Sequence, residues 1–227
     1  MTNEKRSALV TDLLNLRAIV EQHAGADNII CIYALRPLAD LYVSCAQYKA
    51  AEPVQREILR LSSLRPGNPI LPTVDEARQN LAFTLTQVGK HDEAIELYEV
   101  SLALSIEAPL NAVSLDTAAA LVQCLQASGR FAEALGITQT IVARVEEFPA
   151  GQLTWLMRLS SCYSKQGDYA KAAAVTELTI PLLEATGEVC CIPQLDVLAE
   201  LYRKAGDSEA YDRVRTCRRF LADKHDF

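Results

Sequence analysis

The side chains of this chain that could do chemistry are three histidines, seven cysteines and a few paired acids. His23, His91 and His225 lie far apart, and His91 falls where aromatic residues stand in related segments, so packing outweighs a general-base role. The cysteines, Cys31, Cys45, Cys124, Cys162, Cys190, Cys191 and Cys217, form an odd set with no CxxC pair and no histidine at metal-ligand spacing. Such a set suits a reducing compartment. Cys45, Cys124 and Cys162 close apolar helical stretches, where a free thiol behaves as a small hydrophobe. The vicinal Cys190 and Cys191 have no base or cation beside them to lower a thiol pKa. The acid pairs Asp92-Glu93 and Glu146-Glu147 read as first-turn or solvated charges. With no Gly-rich phosphate loop, HExxH, GxSxG or acidic cluster at metal spacing, the expectation is a protein with no catalytic residues, no cofactor and no metal.

Bulk properties narrow the partners. Twenty-two Lys and Arg against twenty-nine Asp and Glu leave a net charge of −7, and no basic run of five or more occurs, which argues against nucleic acid. Residues 1–20 are interrupted by Asp12, Asn15 and Arg17 and lack a signal-peptide core, and no run of roughly eighteen apolar residues appears. A cytoplasmic protein without membrane insertion is expected. Half of the residues are apolar and only nine each are Gly and Pro, which suits a well-packed helical protein.

What positions these side chains is a unit used five times. Leu35-x-x-Leu38-Ala39-x-x-Tyr42, Leu156-x-x-Leu159-Ser160-x-x-Tyr163 and Leu195-x-x-Leu198-Ala199-x-x-Tyr202 are its clearest copies. Arg78-x-x-Leu81-Ala82-x-x-Leu85 and Ala118-x-x-Leu121-Val122-x-x-Leu125 are the other two. After each comes a turn residue, an aromatic or similar group two positions on, and an alanine three beyond that: Gly89, His91, Ala94; Gly129, Phe131, Ala134; Gly167, Tyr169, Ala172. The first copy reads Ala46, Tyr48, Ala51, so Ala46 must accept strain or use another turn. The alanine lets two antiparallel helices approach closely. In the last copy Ala210 comes one residue early and Tyr211 takes the alanine position, as terminal repeats often deviate. Its second helix carries Arg213, Arg215, Arg218, Arg219 and Lys224, a solvated capping face or a basic docking face for an acidic partner.

The pattern predicts one all-α domain over 1–227. Residues 4–24 form a capping half-repeat with Leu9, Leu13, Leu16 and Val20 as its buried stripe, followed by helix pairs at 28–64, 72–107, 111–147, 150–186 and 190–224. Stacked pairs of this kind form a right-handed superhelical α-solenoid. Pro37 predicts a break in the first helix of repeat one, whereas Pro53 falls in the first turn or so of the next helix, where a missing N–H costs little. Pro66, Pro69 and Pro72 with Gly67 and Asn68 mark the longest linker.

These residues resemble the tetratricopeptide family. The turn-to-turn steps of 43, 40, 38 and 39 residues exceed the usual unit of about thirty-four. Long units, together with Leu38-Ala39-Asp40-Leu41-Tyr42 and Tyr48-Lys49-Ala50-Ala51-Glu52-Pro53-Val54, look like the kinesin-light-chain subclass, in which an NLA-x-LY helix precedes a Y-x-x-AEPL helix. The resemblance implies a concave wall of first helices that receives a peptide or protein segment. Carried over by position, the groove set is Arg36 and Asp40 in repeat one, and Glu76, Gln79, Asn80, Phe83 and Gln87 in repeat two. Repeat three adds Asp116 and Gln123, repeat four Arg158, Ser161 and Lys165, and repeat five Glu200 and Lys204. Asn80 alone matches the family's peptide-backbone asparagine; Pro37, Ala120, Arg158 and Val197 occupy that position elsewhere. The Lys and Asn combination that grips chaperone tails in some relatives is missing, which disfavours a co-chaperone role. The leading expectation is a non-catalytic adaptor. The alternatives are a self-associating assembly protein, using terminal helices or an exposed Phe148 and Trp155 region, and the regulatory subunit of an enzyme.

Overall fold

The computed structural model describes residues 3–25, 27–106, 112–145, 149–185 and 187–225. Ala26, Glu146, Glu147 and Phe148 lie outside them, as do the expected pair ends at 107, 111, 147 and 186. Among the described residues every regular element is helical, and the chain packs as two compact units, 1–124 and 125–227.

The first unit holds α1 (Asn3–Ala24), α2 (Ile32–Ser44), α3 (Tyr48–Leu64), α4 (Val74–Val88) and α5 (His91–Ile106); the division falls inside α6 (Ala112–Ala127). Each helix from α1 to α4 packs on the next. The repeated Leu-x-x-Leu-Ala string explains this: Leu35, Leu38 and Ala39 of α2 are buried and meet Val54, Ile58 and Leu61 of α3. Ala51 and Ala94, the alanines after the turns, are fully buried. The proline-rich linker is tied down, with Leu71 in the core and the Asn68 side chain accepting the Ile70 N–H at 2.9 Å. Thr73 caps α4 by accepting the Glu76 N–H at 3.1 Å.

The second unit contains α7 (Phe131–Val145), α8 (Pro149–Gln166), α9 (Tyr169–Glu177), α10 (Ile180–Glu184), α11 (Ile192–Ala205) and α12 (Ser208–Lys224). Here α8 packs on α7 and α9, and α11 on α9 and α12. Ala172, Ala173, Leu198 and Leu201 form a core against which Tyr163, Tyr169, Tyr202 and Val214 pack. Ser160, in the small-residue position of its string, donates to the Ala172 carbonyl at 3.0 Å and lies 2.6 Å from the Thr176 hydroxyl. The buried α8–α9 contact is thus pinned by polar atoms that satisfy one another. The second helix of repeat four divides into α9 and α10 because Pro181, at the start of α10, cannot donate to Glu177 four residues earlier.

All five turns between first and second helices share one hydrogen-bond pattern. In repeat two the Gly89 N–H reaches the Thr86 carbonyl at 3.1 Å and the Lys90 N–H reaches Leu85 at 2.9 Å. Repeat one does the same with Ala46 to Val43 and Gln47 to Tyr42, at 2.9 and 2.8 Å. This is the Schellman ending, which needs a left-handed residue. Glycine supplies it four times, and Ala46 adopts φ 55° in the first copy, so strain rather than a different turn is the outcome.

Several expectations are corrected. α2 runs unbroken through Pro37, which is its sixth residue, and α3 likewise carries Pro53 as its sixth residue rather than in its first turn. Each removes a single intrahelical bond, and Pro37 and Tyr33, whose carbonyl loses its donor, are both exposed, so water can replace that bond. In α1 the residues against the core are Val10, Leu13 and Val20, while Leu9 and Leu16 are exposed. Trp155 is buried, at 3 % exposure. In α12 it is Ala210 that is buried and Tyr211 that is half-exposed, so the early alanine keeps the packing role.

Candidate functional site

Arg36 and Asp40 are four residues apart on α2, and Glu76 and Asn80 four apart on α4, so each pair shares one helix face. In the first unit these four line one recess of about 100 Å³, together with Ala39, Gln55, Ile58 and Pro72. The Arg36 guanidinium lies 3.6 Å from the Glu76 carboxylate, with both side chains about half exposed. That pair sits at the mouth and is worth little by itself, because solvent screens it. Gln55 and Ile58 come from α3 and are buried, at 5 % and 3 % exposure. The recess therefore has a charged rim and a mixed polar and apolar interior.

Other expected positions in this unit are engaged with their neighbours. Gln79 is half-buried and donates to Asp75 at 2.8 Å. Phe83 is exposed and meets Tyr48 edge-on, with ring centroids 6.1 Å apart. Gln87 borders a shallow hollow of about 440 Å³ with Tyr48, Lys49 and the turn at Ala46. Asp116 and Gln123 are exposed on α6. Behind these first helices, Arg56 links Glu52 at 2.8 Å to Glu93 at 2.5 Å, and Lys90 reaches Glu52 at 2.7 Å. Hydrogen bonds from Lys90, then Arg56, hold the Glu52 carboxyl below its usual range, and Arg56 does the same to Glu93.

In the second unit Arg158 lies over the Trp155 ring, 5.6 Å from its centroid, and its Nε is buried without a hydrogen bond. Ser161 is half-buried, and Lys165 donates to Gln126 at 2.8 Å. Glu200 pairs with Arg203 at 2.7 Å and Lys204 at 3.6 Å. The Arg203 hydrogen bond leads in pushing its carboxyl down to about 2. Lys204 also lies over the Tyr169 ring, 5.5 Å from its centroid. A hollow of about 460 Å³ between α11 and α12 is lined by Asp196, Glu200, Tyr211, Arg215, Arg218 and Arg219 among others. The basic face is largely engaged there: Arg218 reaches Asp196 at 3.1 Å and Arg215 donates to the Tyr211 hydroxyl at 3.0 Å.

Residues 76–108 match the family model described as tetratricopeptide repeat. Among solved structures, nearly identical TPR-like repeats from a Podosopora anserina protein named after kinesin light chain align with TM-score 0.70 and 18 % identity, over 87 % of this chain and 98 % of that one. The fold is that of tetratricopeptide-like repeats. BtubC (BKLC) from P. vanneervenii shares it with TM-score 0.67 and 19 % identity, over 100 % of this chain and 93 % of that one. A Rap protein complexed with competence and sporulation factor aligns with TM-score 0.55 and 20 % identity, over 87 % of this chain and 56 % of that one. No curated protein matches the sequence. The matched tetratricopeptide segment contains Glu76, Asn80 and the Glu93 end of the ion-pair network.

Gln55 is the recess residue that sequence reasoning missed. It lies on a second helix, four residues after the alanine of its repeat, and the tetratricopeptide pattern directs attention to first helices. The signal was available, because the same offset gives Tyr98, Thr138 and Thr176 in repeats two to four, all polar, whereas in repeat five it gives Val214. Among the described residues no group of three or more His, Cys, Asp or Glu could hold a metal ion, and no helix is long and apolar enough to cross a membrane.

Proposed function

We propose that this chain is a non-catalytic interaction module that holds a peptide or protein segment against the exposed faces of its first helices. The observation that carries the reading is the gathering of Arg36, Asp40, Glu76 and Asn80 around one recess, four positions that the tetratricopeptide pattern assigns to ligand contact. An extended segment offers backbone donors and acceptors at a regular spacing, and paired i,i+4 polar side chains on neighbouring helices suit it. That a Rap protein of the same fold is found complexed with competence and sporulation factor supports a partner-holding role for this architecture. The net charge of −7 favours partners with basic character and disfavours nucleic acid. The test is a peptide-library screen on the full chain, repeated with Asn80→Ala and Arg158→Ala. Selected peptides should bind more weakly to at least one variant, and affinity unchanged in both would overturn the reading.

A second reading, self-association, has an observation of its own. Leu9, Leu16 and Ile19 fall on one side of α1 and are 39 %, 42 % and 54 % exposed. Apolar surface of this kind often marks a contact. Light scattering across a concentration series should show a mass increase if the reading holds, and a constant monomer mass would reject it.

A further inference from the structure

The position four residues after the repeat alanine is polar in the first four repeats, and what becomes of its polar atom differs. Thr138 donates to the Ala134 carbonyl at 2.7 Å, and Thr176 to the Ala172 carbonyl at 2.8 Å. Tyr98 is buried with Thr86 close to its hydroxyl. Gln55 is the exception. It is 5 % exposed, it lines the recess, and its Oε1 accepts no hydrogen bond from the protein. A buried acceptor left unmade is costly, so a native structure that keeps one often keeps it for a ligand.

The surroundings specify what that ligand offers. Oε1 requires a donor. Asp40, on the same recess, also has no hydrogen-bond or ion-pair partner among the described residues. Arg36 and Glu76 neutralise one another across the mouth, which leaves the Asp40 carboxylate as the uncompensated charge of the recess. Ala39, Ile58 and Pro72 supply apolar wall. Two acceptors, one of them anionic, beside apolar wall fit a group with several N–H donors, a positive charge and a methylene stem. A carboxamide's terminal torsion is soft, so Oε1 can turn to meet such a group.

We propose that the recess is a subsite for a primary ammonium group of the bound segment, with Gln55 accepting one N–H, Asp40 supplying the countercharge and Asn80 oriented to the adjoining backbone. This rests on the groove reading and deepens it. The ammonium can come from a lysine side chain or from a segment's N-terminus, which share this chemistry.

The experiment is solution NMR of the isotope-labelled full chain, titrated with three probes. Nα-acetyl-lysine methylamide carries a side-chain ammonium, glycine methylamide an N-terminal one, and Nα-acetyl-norleucine methylamide none. Saturable shifts at the Gln55 side-chain amide and the Asp40 backbone are expected with one or both ammonium probes and not with norleucine. The responding probe identifies the source. Asp40→Asn and Gln55→Leu should each weaken that probe roughly tenfold, the loss of one charge-assisted contact. Asp40 is exposed, so its variant stays informative even if Gln55→Leu perturbs packing. No response at Gln55 from either ammonium probe, or an equal response to norleucine, overturns the proposal. If library peptides nonetheless bind and weaken with Asn80→Ala, the groove reading stands while the ammonium subsite falls; a Gln55 response without any peptide binder gives the reverse.

Discussion

Replacing Ala46 with glycine isolates the backbone cost of the first turn. Ala46 holds φ 55°, in the left-handed region, while the equivalent Gly89, Gly129, Gly167 and Gly206 hold φ 80° to 88°. The hydrogen bonds are the same in all five turns, and Ala46 is exposed, so its methyl contributes little packing. A left-handed L-residue costs roughly 1–2 kcal/mol. Glycine relieves that cost but makes the unfolded chain more flexible, which returns about 0.4–1 kcal/mol. The net expectation for Ala46→Gly is a gain of about 0.5–1 kcal/mol, or a rise in Tm of about 1–4 °C for a chain of this size. Gly167→Ala is the mirror experiment. A Cβ built there meets nothing within 4 Å, so its expected loss of about 1 kcal/mol is purely conformational. Urea unfolding followed by far-ultraviolet circular dichroism measures both. With two compact units the transition can have two phases, and Ala46→Gly should shift the one belonging to residues 1–124. An unchanged or lowered midpoint for Ala46→Gly, beside a clear loss for Gly167→Ala, would refute the reasoning.

Ala172→Glu should be severe, because Ala172 is fully buried against α8 and its carbonyl receives the Ser160 and Thr176 hydroxyls; a loss of roughly 3 kcal/mol or more is expected, read as a lost or non-cooperative thermal melt. Glu52→Gln should cost about 1 kcal/mol at neutral pH by weakening the bonds to Lys90 and Arg56. Since the folded Glu52 carboxyl lies below its usual value of 4.5, its contribution is full above that pH and lost as pH falls through the lower folded value, so parent and variant should converge in urea midpoint under acid conditions. Alkylation monitored by mass should label Cys190 and Cys217 first, because both are exposed, while buried Cys31, Cys124, Cys162 and Cys191 react only with unfolding; burial also raises the Cys31 thiol pKa.

The parts legible in the sequence are those where one residue type has one physical use. Glycine at a fixed distance after Leu-x-x-Leu-Ala marks a left-handed helix ending in repeats two to five, and alanine five residues after the turn residue marks close helix approach in repeats one to four. The parts that escaped are those where two arrangements are equally apolar. In α1, leucines at 9, 13 and 16 make as good a stripe as Val10, Leu13 and Val20, and only the packing of α2 against the helix decides between them. Pro37 misled for a related reason. Its cost depends on whether the carbonyl it orphans faces water, which the spacing of prolines does not tell.

The same distinction bears on the candidate site. Arg36, Asp40, Glu76 and Asn80 were found through a positional pattern for first helices, and the recess gathers them. Gln55 was hidden because a polar residue in an amphipathic second helix is ordinarily assigned to solvent. In two of the other repeats this position is a buried threonine that solves its hydrogen-bonding problem internally by folding its hydroxyl back onto the carbonyl one turn earlier, and the buried Tyr98 has Thr86 close to its hydroxyl. A glutamine cannot use the threonine solution with its oxygen, since an acceptor gains nothing from a carbonyl. Repeat one therefore carries the one side chain at this position whose acceptor must look outside the repeat. It does so in the repeat whose first helix carries Pro37 at the position of Asn80. Substituting Gln55→Thr would restore the internal bond to the Ala51 carbonyl, raising the stability of the first unit while removing the acceptor. A variant that melts no higher than the parent would show that the Gln55 oxygen is already satisfied in solution and that its burial has no ligand to explain.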